Sequence, residues 1–460
     1  MADLIDPALR ARDLTPLFFP RAIGIVGLSA REGTWARVTL GMLDRGGFEG
    51  DVVAVRPREP RAGARNAASL VEAGRLDVVV VSVPAAAVVD TVAEAAAADV
   101  GSVVVFSSGF AEGGDEGRDL QDRLTTAAGD MAVLGPNCLG VLSVPGRLLL
   151  SPSVFVAREQ RAAPVGLVTQ SGAVGFVLAD HLLRRGMGVS YFASTGNEAC
   201  IGAPEVATWM LGRPDVTAVG LYAEEIRNVE SFRTLGALAR EAHKHVVVLK
   251  IGRSGAARRA AVSHTAAVPG DWSTFESLAL DEGVTVVPDE DSFTEAVHAL
   301  CQPCQLPDRL RLGIVTMSGG AGAMVADQVA DQADVPEFTR LTRERLAATG
   351  FALAGDANPV DLGGMFGRHL DRLDGVLQAV IDDEHVDGLV VYFTFGDRSL
   401  SIHRELAARL AALPCPAWLV WAGAPAGEVE ALAHLGCVYG SIPALVRGLR
   451  ATPRGERTAP

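Results

Sequence analysis

Three stretches of the chain share one pattern: a run of β-branched and other apolar residues, a loop of small residues, then apolar positions at helical spacing. They fall at residues 22–29 (AIGIVGLS), 165–175 (VGLVTQSGAVG) and 312–322 (LGIVTMSGGAG). Each is followed by further apolar runs alternating with amphipathic stretches. These are 51–55, 78–83 and 102–106 after the first, 218–223 and 246–251 after the second, and 388–393 and 417–421 after the third. Near-continuous apolar strands separated by helices predict parallel sheets covered on both faces. Three restarts at a Gly-rich first turn predict an α/β protein of three doubly wound parallel-sheet domains. Pro145-Gly146 reads as the close of the first unit, and charged residues between 157 and 164 lead into the second. The Pro-, Gln- and charge-rich segment 301–311 leads into the third. The predicted domains are therefore 1–147, 148–303 and 304–460, and the final ATPRGERTAP reads as a frayed tail.

Composition supports cores of ordinary size. The 460 residues are 49% hydrophobic, 21% charged and 5% aromatic, which excludes intrinsic disorder. With 41 basic against 55 acidic residues the net charge is −14, which argues against nucleic acid as a partner while leaving room for a local phosphate pocket. The first residues, MADLIDPALRARDL, mix acids and bases and show no secretory h-region. The uncharged run 162–179 contains Pro164, Gln170, Ser171 and three glycines, so it reads as strand, loop and helix rather than a membrane span. Six cysteines in so long a chain make no disulfide framework. Cys301 and Cys304 form one CxxC without a second pair, so no metal site is expected and a reducing, cytoplasmic setting is.

Ligands of doubly wound sheets sit where the carboxyl ends of strands meet helix N-termini, because free N–H groups and the helix dipole favour anions. In the first unit these ends are Gly27, Leu28, Ser29 and Ala30; Arg56 and Pro57; Ser82, Val83 and Pro84; Ser107, Ser108 and Gly109; and Gly135 to Cys138, with Asn137. Ser29 stands where a GxGxxG fingerprint needs glycine, so a phosphate-bearing ligand of another shape is preferred to NAD. No histidine precedes position 181 to activate Cys138, which reads as a packed small residue. In the second unit, Thr169, Gln170, Ser171, Gly172 and Ala173 open a helix. Thr169 occupies the position where a GxSxG nucleophile elbow has glycine, so the turn reads as an anion cradle.

The sharpest constellation follows. Lys250, Gly252, Arg253, Arg258 and Arg259 precede Ser263-His264-Thr265-Ala266, with Gly270 beyond. A small-residue, mobile segment presenting an imidazole beside cationic groups suits a histidine that accepts a phosphoryl group. A carboxylate must hold its second ring nitrogen, and Glu224 or Glu225, after the strand 218–223, is positioned to do so.

Six motifs now occur in order: FSSGFAE (106–112), GPNCLGV (135–141), TQSGAVG (169–175), STGNE (194–198), KIGRS…AAVSHTAA (250–267) and NPVDL (358–362). By these the chain resembles the α subunit of the ADP-forming acyl-CoA (acetyl-CoA) synthetases, within the succinyl-CoA synthetase superfamily. The resemblance implies a Rossmann-like CoA-binding domain followed by two flavodoxin-like domains. CoA would lie across the first domain's strand ends named above. His264 matches the family's phosphorylated histidine and Glu224 its steadying carboxylate. Gln170, Ser171, Gly172 and Ala173, with Asn197, match the phosphate and acyl site. The implied reaction is acyl-CoA + ADP + phosphate ⇌ acid + CoA + ATP. A mobile loop would carry the phosphoryl group, and a separate ATP-grasp β subunit would hold ADP/ATP and Mg²⁺, giving a hetero-oligomer acting on a small carboxylic acid. The chain departs from the family at SHTA (Ala266), at Val268-Pro269-Gly270 and at Cys200. The alternatives are a non-catalytic CoA- or acyl-CoA-binding protein, and an acyl-phosphate-using ligase with an amine acceptor.

Overall fold

The structure is a computed structural model, which describes residues 12–29, 31–57, 65–153, 155, 160–265, 271–350, 357–363, 370–395 and 400–455. The side chains of 261–265, 370 and 371 lie outside this description. The chain divides into two compact units, one of residues 1–180 and 188–293, the other of 181–187 and 294–460.

The first unit holds two sheets. In the first, β1 (Ala22–Val26), β2 (Asp51–Val55), β3 (Arg65–Ala67), β4 (Val78–Val81), β5 (Ser102–Val105) and β6 (Ala132–Leu134) run parallel in the order 3-2-1-4-5-6. This is the Rossmann order. All-valine β4 is buried along its whole length, as a strand covered on both faces must be. The order reverses between β1 and β4, which brings their carboxyl ends together. Gly27 ends β1 at φ +98°, and a Cβ there would stand 2.1 Å from the Ser82 carbonyl oxygen. Only glycine fits this close approach.

The second sheet contains β7 (Gly140–Ser143), β8 (Leu148–Leu150), β9 (Val165–Thr169), β10 (Tyr191–Ser194), β11 (Ala218–Ala223), β12 (His245–Lys250) and β13 (Thr285–Val287). Its five parallel strands follow the flavodoxin order, β10-β9-β11-β12-β13, and the antiparallel hairpin β7–β8 extends the β10 edge. Pro145-Gly146 therefore turns this hairpin. The chain leaves the first sheet earlier, after β6, and residues 140–143 pair in the second. Leu148 and Leu150 belong to an apolar cluster that runs from Ile23 and Ile25 of β1 to Val168, Leu221 and Val248. Phe18 stacks on Trp209 at 4.5 Å within it.

In the second unit, β14 (Leu306–Pro307) pairs with β21 (Arg454–Gly455). A further parallel sheet orders β16 (Ala333–Asp334), β15 (Leu310–Thr316), β18 (Gly388–Thr394), β19 (Ala417–Ala422) and β20 (Val438–Tyr439). This is again the flavodoxin order, with β17 (Val360–Asp361) pairing on the end of β15. Arg185 is buried here in a bond to Glu295 (3.0 Å), with its Nη2 3.2 Å from His298 Nδ1 and donating to the Val438 carbonyl at 2.9 Å. Burial and the guanidinium charge pull His298 down to about 3. Among the described residues no helix is long and apolar enough to cross a membrane.

Candidate functional site

The carboxyl edge of the first sheet carries the loops singled out in the sequence. Leu28 is buried, Ser29, Ser82, Val83 and Ser107 are half-buried, and Arg56, Pro84, Ser108 and Gly109 are exposed. Pro57 is half-buried and Ala30 lies outside the described residues. Ser107 Oγ donates to the Val83 carbonyl (2.5 Å) and Asn137 N–H to the Ser107 carbonyl (2.9 Å), so three strand ends are tied side by side. Arg56 is paired with Glu94 at 2.8 Å. One acceptor was missed from sequence. Glu112 Oε1 receives the N–H groups of Gly109 (2.6 Å) and Phe110 (3.3 Å), filling with a side-chain carboxylate the type of backbone hollow that binds anions.

The second sheet's edge lies in the same unit. Thr169 ends β9, its Oγ1 donating to the Ser171 carbonyl (2.6 Å) and receiving the Ser171 N–H (3.1 Å). That turn starts the helix Gly172–Arg184, whose first N–H groups have no intrahelical acceptor. Ser171 and Gly172 are half-buried and Ala173 is exposed, so this N-terminus is open to an anion.

Gln170 is engaged by the protein itself. Its Oε1 accepts from Glu224 N–H (2.5 Å) and Glu225 N–H (3.0 Å), and its Nε2 donates to the Glu225 carbonyl (2.7 Å). A side-chain amide has two acceptor sites and two donor hydrogens, and three of these four are spent on the turn that carries Glu224 and Glu225. Asn197 is likewise engaged. Only 5% exposed, it donates from Nδ2 to Glu112 and to Gln121 Oε1 (3.1 Å), while Asn137 donates to its Oδ1 at 3.3 Å. Both amides tie protein loops together at the cleft. The sequence could not show this, because their partners lie 54 to 85 residues away.

Gln170, Gly196, Asn197, Glu198, Glu224, Glu225 and Arg227 line one cleft. Glu224 is 5% exposed, at the end of β11. Arg227 donates to the Asn197 carbonyl (2.6 Å) and pairs with Glu225 at 3.0 Å. Burial pushes the Glu198 carboxyl up, although it accepts from Thr195 Oγ1 (2.8 Å) and Ala203 N–H (2.9 Å). Glu198 and Arg227 were also missed; the signal for Glu198 was its place at the end of STGNE. Lys250 is 6% exposed, and burial pulls its ammonium down despite the opposing charge of Glu225.

His264 falls in the last turn of the helix Gly255–Thr265, not in a loop, by its backbone; its side chain and residues 266–270 lie outside the described residues. Cα atoms of this helix come within 8 Å of the turn Ala111–Gly113, which carries Glu112. Cys138 is buried, and desolvation pushes its thiol up to about 12, which removes it as a nucleophile. Among the described residues no group of three or more His, Cys, Asp or Glu is arranged to hold a metal.

Comparison with known proteins fits this geometry. Residues 21–143 match the family described as CoA binding domain, and residues 162–300 match the succinyl-CoA ligase like flavodoxin domain. A trans-feruloyl-CoA synthase from an unknown prokaryotic organism is 29% identical over 81% of this chain and 54% of its own. The α subunit of ADP-forming acetate–CoA ligase II of Pyrococcus furiosus is 30% identical over 63% of this chain and 62% of its own. The chain thus spans under two thirds of the length of these relatives. The dinucleotide forming acetyl-coenzyme A synthetase 1 of Ca. Korarchaeum cryptofilum superposes with a TM-score of 0.82 at 25% identity, covering 95% of this chain and 96% of that one. It has also been solved with phosphate and ADP. Fold and matched domains define an α/β protein with a CoA-binding domain and a succinyl-CoA ligase-like flavodoxin domain. Its relatives are acyl-CoA ligases, among them α subunits of ADP-forming acetate–CoA ligases.

Proposed function

We propose that this chain is the CoA- and histidine-bearing part of an ADP-forming acid–CoA ligase. The observation that supports it most is the pairing of an open helix N-terminus at Ser171, Gly172 and Ala173 with the buried carboxylate of Glu224 in the same unit. CoA would lie along Gly27, Leu28, Ser29, Ala30, Arg56, Pro57, Ser82, Val83, Pro84, Ser107, Ser108 and Gly109, next to Asn137. A phosphate oxygen attacks the thioester carbonyl, the C–S bond breaks, and CoA leaves as a thiolate that takes up a proton. The first-turn N–H groups after Ser171 stabilise the charge on the resulting acyl phosphate. A His264 ring nitrogen then attacks phosphorus, the bond from phosphorus to the acyl oxygen breaks, and the carboxylate leaves. Glu224 accepts the hydrogen bond of the other ring nitrogen and offsets the imidazolium charge. Phosphohistidine finally passes its phosphoryl group to ADP. ADP and Mg²⁺ would be held by an ATP-grasp subunit, making a cytoplasmic hetero-oligomer that acts on a small carboxylic acid.

Incubating the full chain with acetyl-CoA, radiolabelled phosphate and Mg²⁺ tests this. The expected product is protein carrying acid-labile, base-stable label, absent from His264→Ala while CoA affinity is retained. Label that persists in His264→Ala removes the phosphohistidine. No label with any acyl-CoA leaves a CoA-binding protein as the better account.

A further inference from the structure

The turn that carries Glu224 has an unusual hydrogen-bond arrangement. Every buried backbone polar group needs a partner, and in a turn these are ordinarily supplied by the turn itself or its neighbours in sequence. Here the four main-chain groups of Glu224 and Glu225 are held by two distant side chains. Gln170, just past β9, takes both N–H groups (2.5 and 3.0 Å) and the Glu225 carbonyl (2.7 Å). Lys250, the last residue of β12, donates to the Glu224 carbonyl at 3.2 Å and to its neighbour Ile251 at 2.9 Å. The lysine is fixed in turn, its Nζ 5.8 Å from the centre of the Trp272 ring and 5.4 Å from that of Phe275. Beyond the turn, Asn228 caps the next helix by accepting from Ser231 N–H at 3.0 Å. Strands on both sides of β11 therefore reach over to grip its end.

We propose that Gln170 and Lys250 are positioning residues, a two-sided clamp that holds the 224–225 main chain and so fixes where the Glu224 carboxylate stands for the phosphoryl-transfer step. This rests on the role proposed for Glu224 above. Neither residue touches the reacting atoms. Their effect passes through Glu224, and a misplacement on the order of 1 Å costs about a hundredfold in rate.

The test is single-turnover labelling of the full chain with acetyl-CoA and radiolabelled phosphate. The variants are Gln170→Met, Lys250→Met and Lys250→Arg, with both methionine changes repeated in a Glu224→Gln background. The expected result is a rate constant lowered about tenfold to a hundredfold in each methionine variant. Labelled fraction at completion and CoA affinity, both read well below the lowered melting temperature, should hold, and Lys250→Arg should recover most of the rate. In Glu224→Gln the same changes should cost less than about twofold more, because residues acting through one group are not additive. Unchanged rate constants in both methionine variants overturn the clamp, as do losses that multiply in the Glu224→Gln background. A lower labelled fraction at an unchanged rate constant makes both residues merely structural. A wild-type chain that takes no label overturns the proposed function, and the clamp with it.

Discussion

The second and third sheets build the same turn and fill it with opposite chemistry. Thr169 and Thr316 end the first strand of each set, facing Tyr222 and Tyr392 in register. Each threonine bonds the serine two residues on, Ser171 at 2.6 and 3.1 Å, Ser318 at 3.2 and 3.2 Å. Each packs against a glycine six residues after it, Gly175 or Gly322. The residue between threonine and serine is Gln170 in one and Met317 in the other, the latter packed on the apolar core. Counting from the tyrosines, Glu224 and Glu225 correspond to Thr394 and Phe395. Lys250, facing Ala223, corresponds to Trp421, facing Phe393. A carbonyl grip recurs one residue along: Trp421 Nε1 donates to the Phe395 carbonyl, whereas Lys250 donates to that of Glu224. The backbone plan specifies a held turn. Whether that turn can do chemistry depends on three or four side chains set upon it.

The comparison can be broken or sharpened by substitution. Trp421→Lys, which imposes the second sheet's residue on the third, should cost about 4 kcal/mol or more, since it empties an aromatic site and buries a charge without its carboxylates. Urea unfolding measures this; a cost near 1 kcal/mol would show the two frames to be interchangeable. Arg185→Met should cost about 3 kcal/mol by removing the guanidinium from the buried Glu295 carboxylate, with the labelling rate unchanged. The same cluster predicts an acid limb. His298 sits at about 3 in the fold against 6.5 unfolded, so the unfolded chain binds the extra proton between those values. Stability should therefore fall as pH drops from 6.5 towards 3, and His298→Gln should flatten that slope. Gly175→Ala should cost about 2 kcal/mol, because its Cβ would stand 2.2 Å from Thr169 Cγ2. Gly322→Ala, at 3.1 Å from Thr316 Cγ2 and 2.9 Å from Pro359 Cβ, should cost less. Met317→Gln should cost about 1 kcal/mol and create no new labelling site, since the turn opposite ends in Thr394 and Phe395.

Strand runs and Gly-rich restarts were legible because parallel strands are buried on both faces and leave nothing polar in the pattern. The three sheets follow from them. The passage between the first and second sheets was not legible. Gly140–Ser143 reads as the end of one unit, and only its long-range pairing with Tyr191–Ser194 places it, with its hairpin mate Leu148–Leu150, in the second sheet. At the site, the turn at Ser171 was legible from hydroxyl and small residues ahead of a helical pattern. The engagement of Gln170 and Asn197 was not, because an amide looks the same whether it meets a ligand or a distant loop. Glu112 stood inside a recognised motif, yet nothing local showed that its carboxylate fills the hollow at Gly109 and meets Asn197.

The hairpin at residues 140–150 has a practical consequence for anyone dissecting the chain. A fragment cut at 147 would carry half a ribbon away from its mate and leave Gly140–Ser143 as a bare apolar edge, an invitation to aggregate. A cut before 140 would instead strip the Leu148–Leu150 strand from beside the helix Trp35–Gly46. The CoA-binding sheet is thus not a detachable cassette.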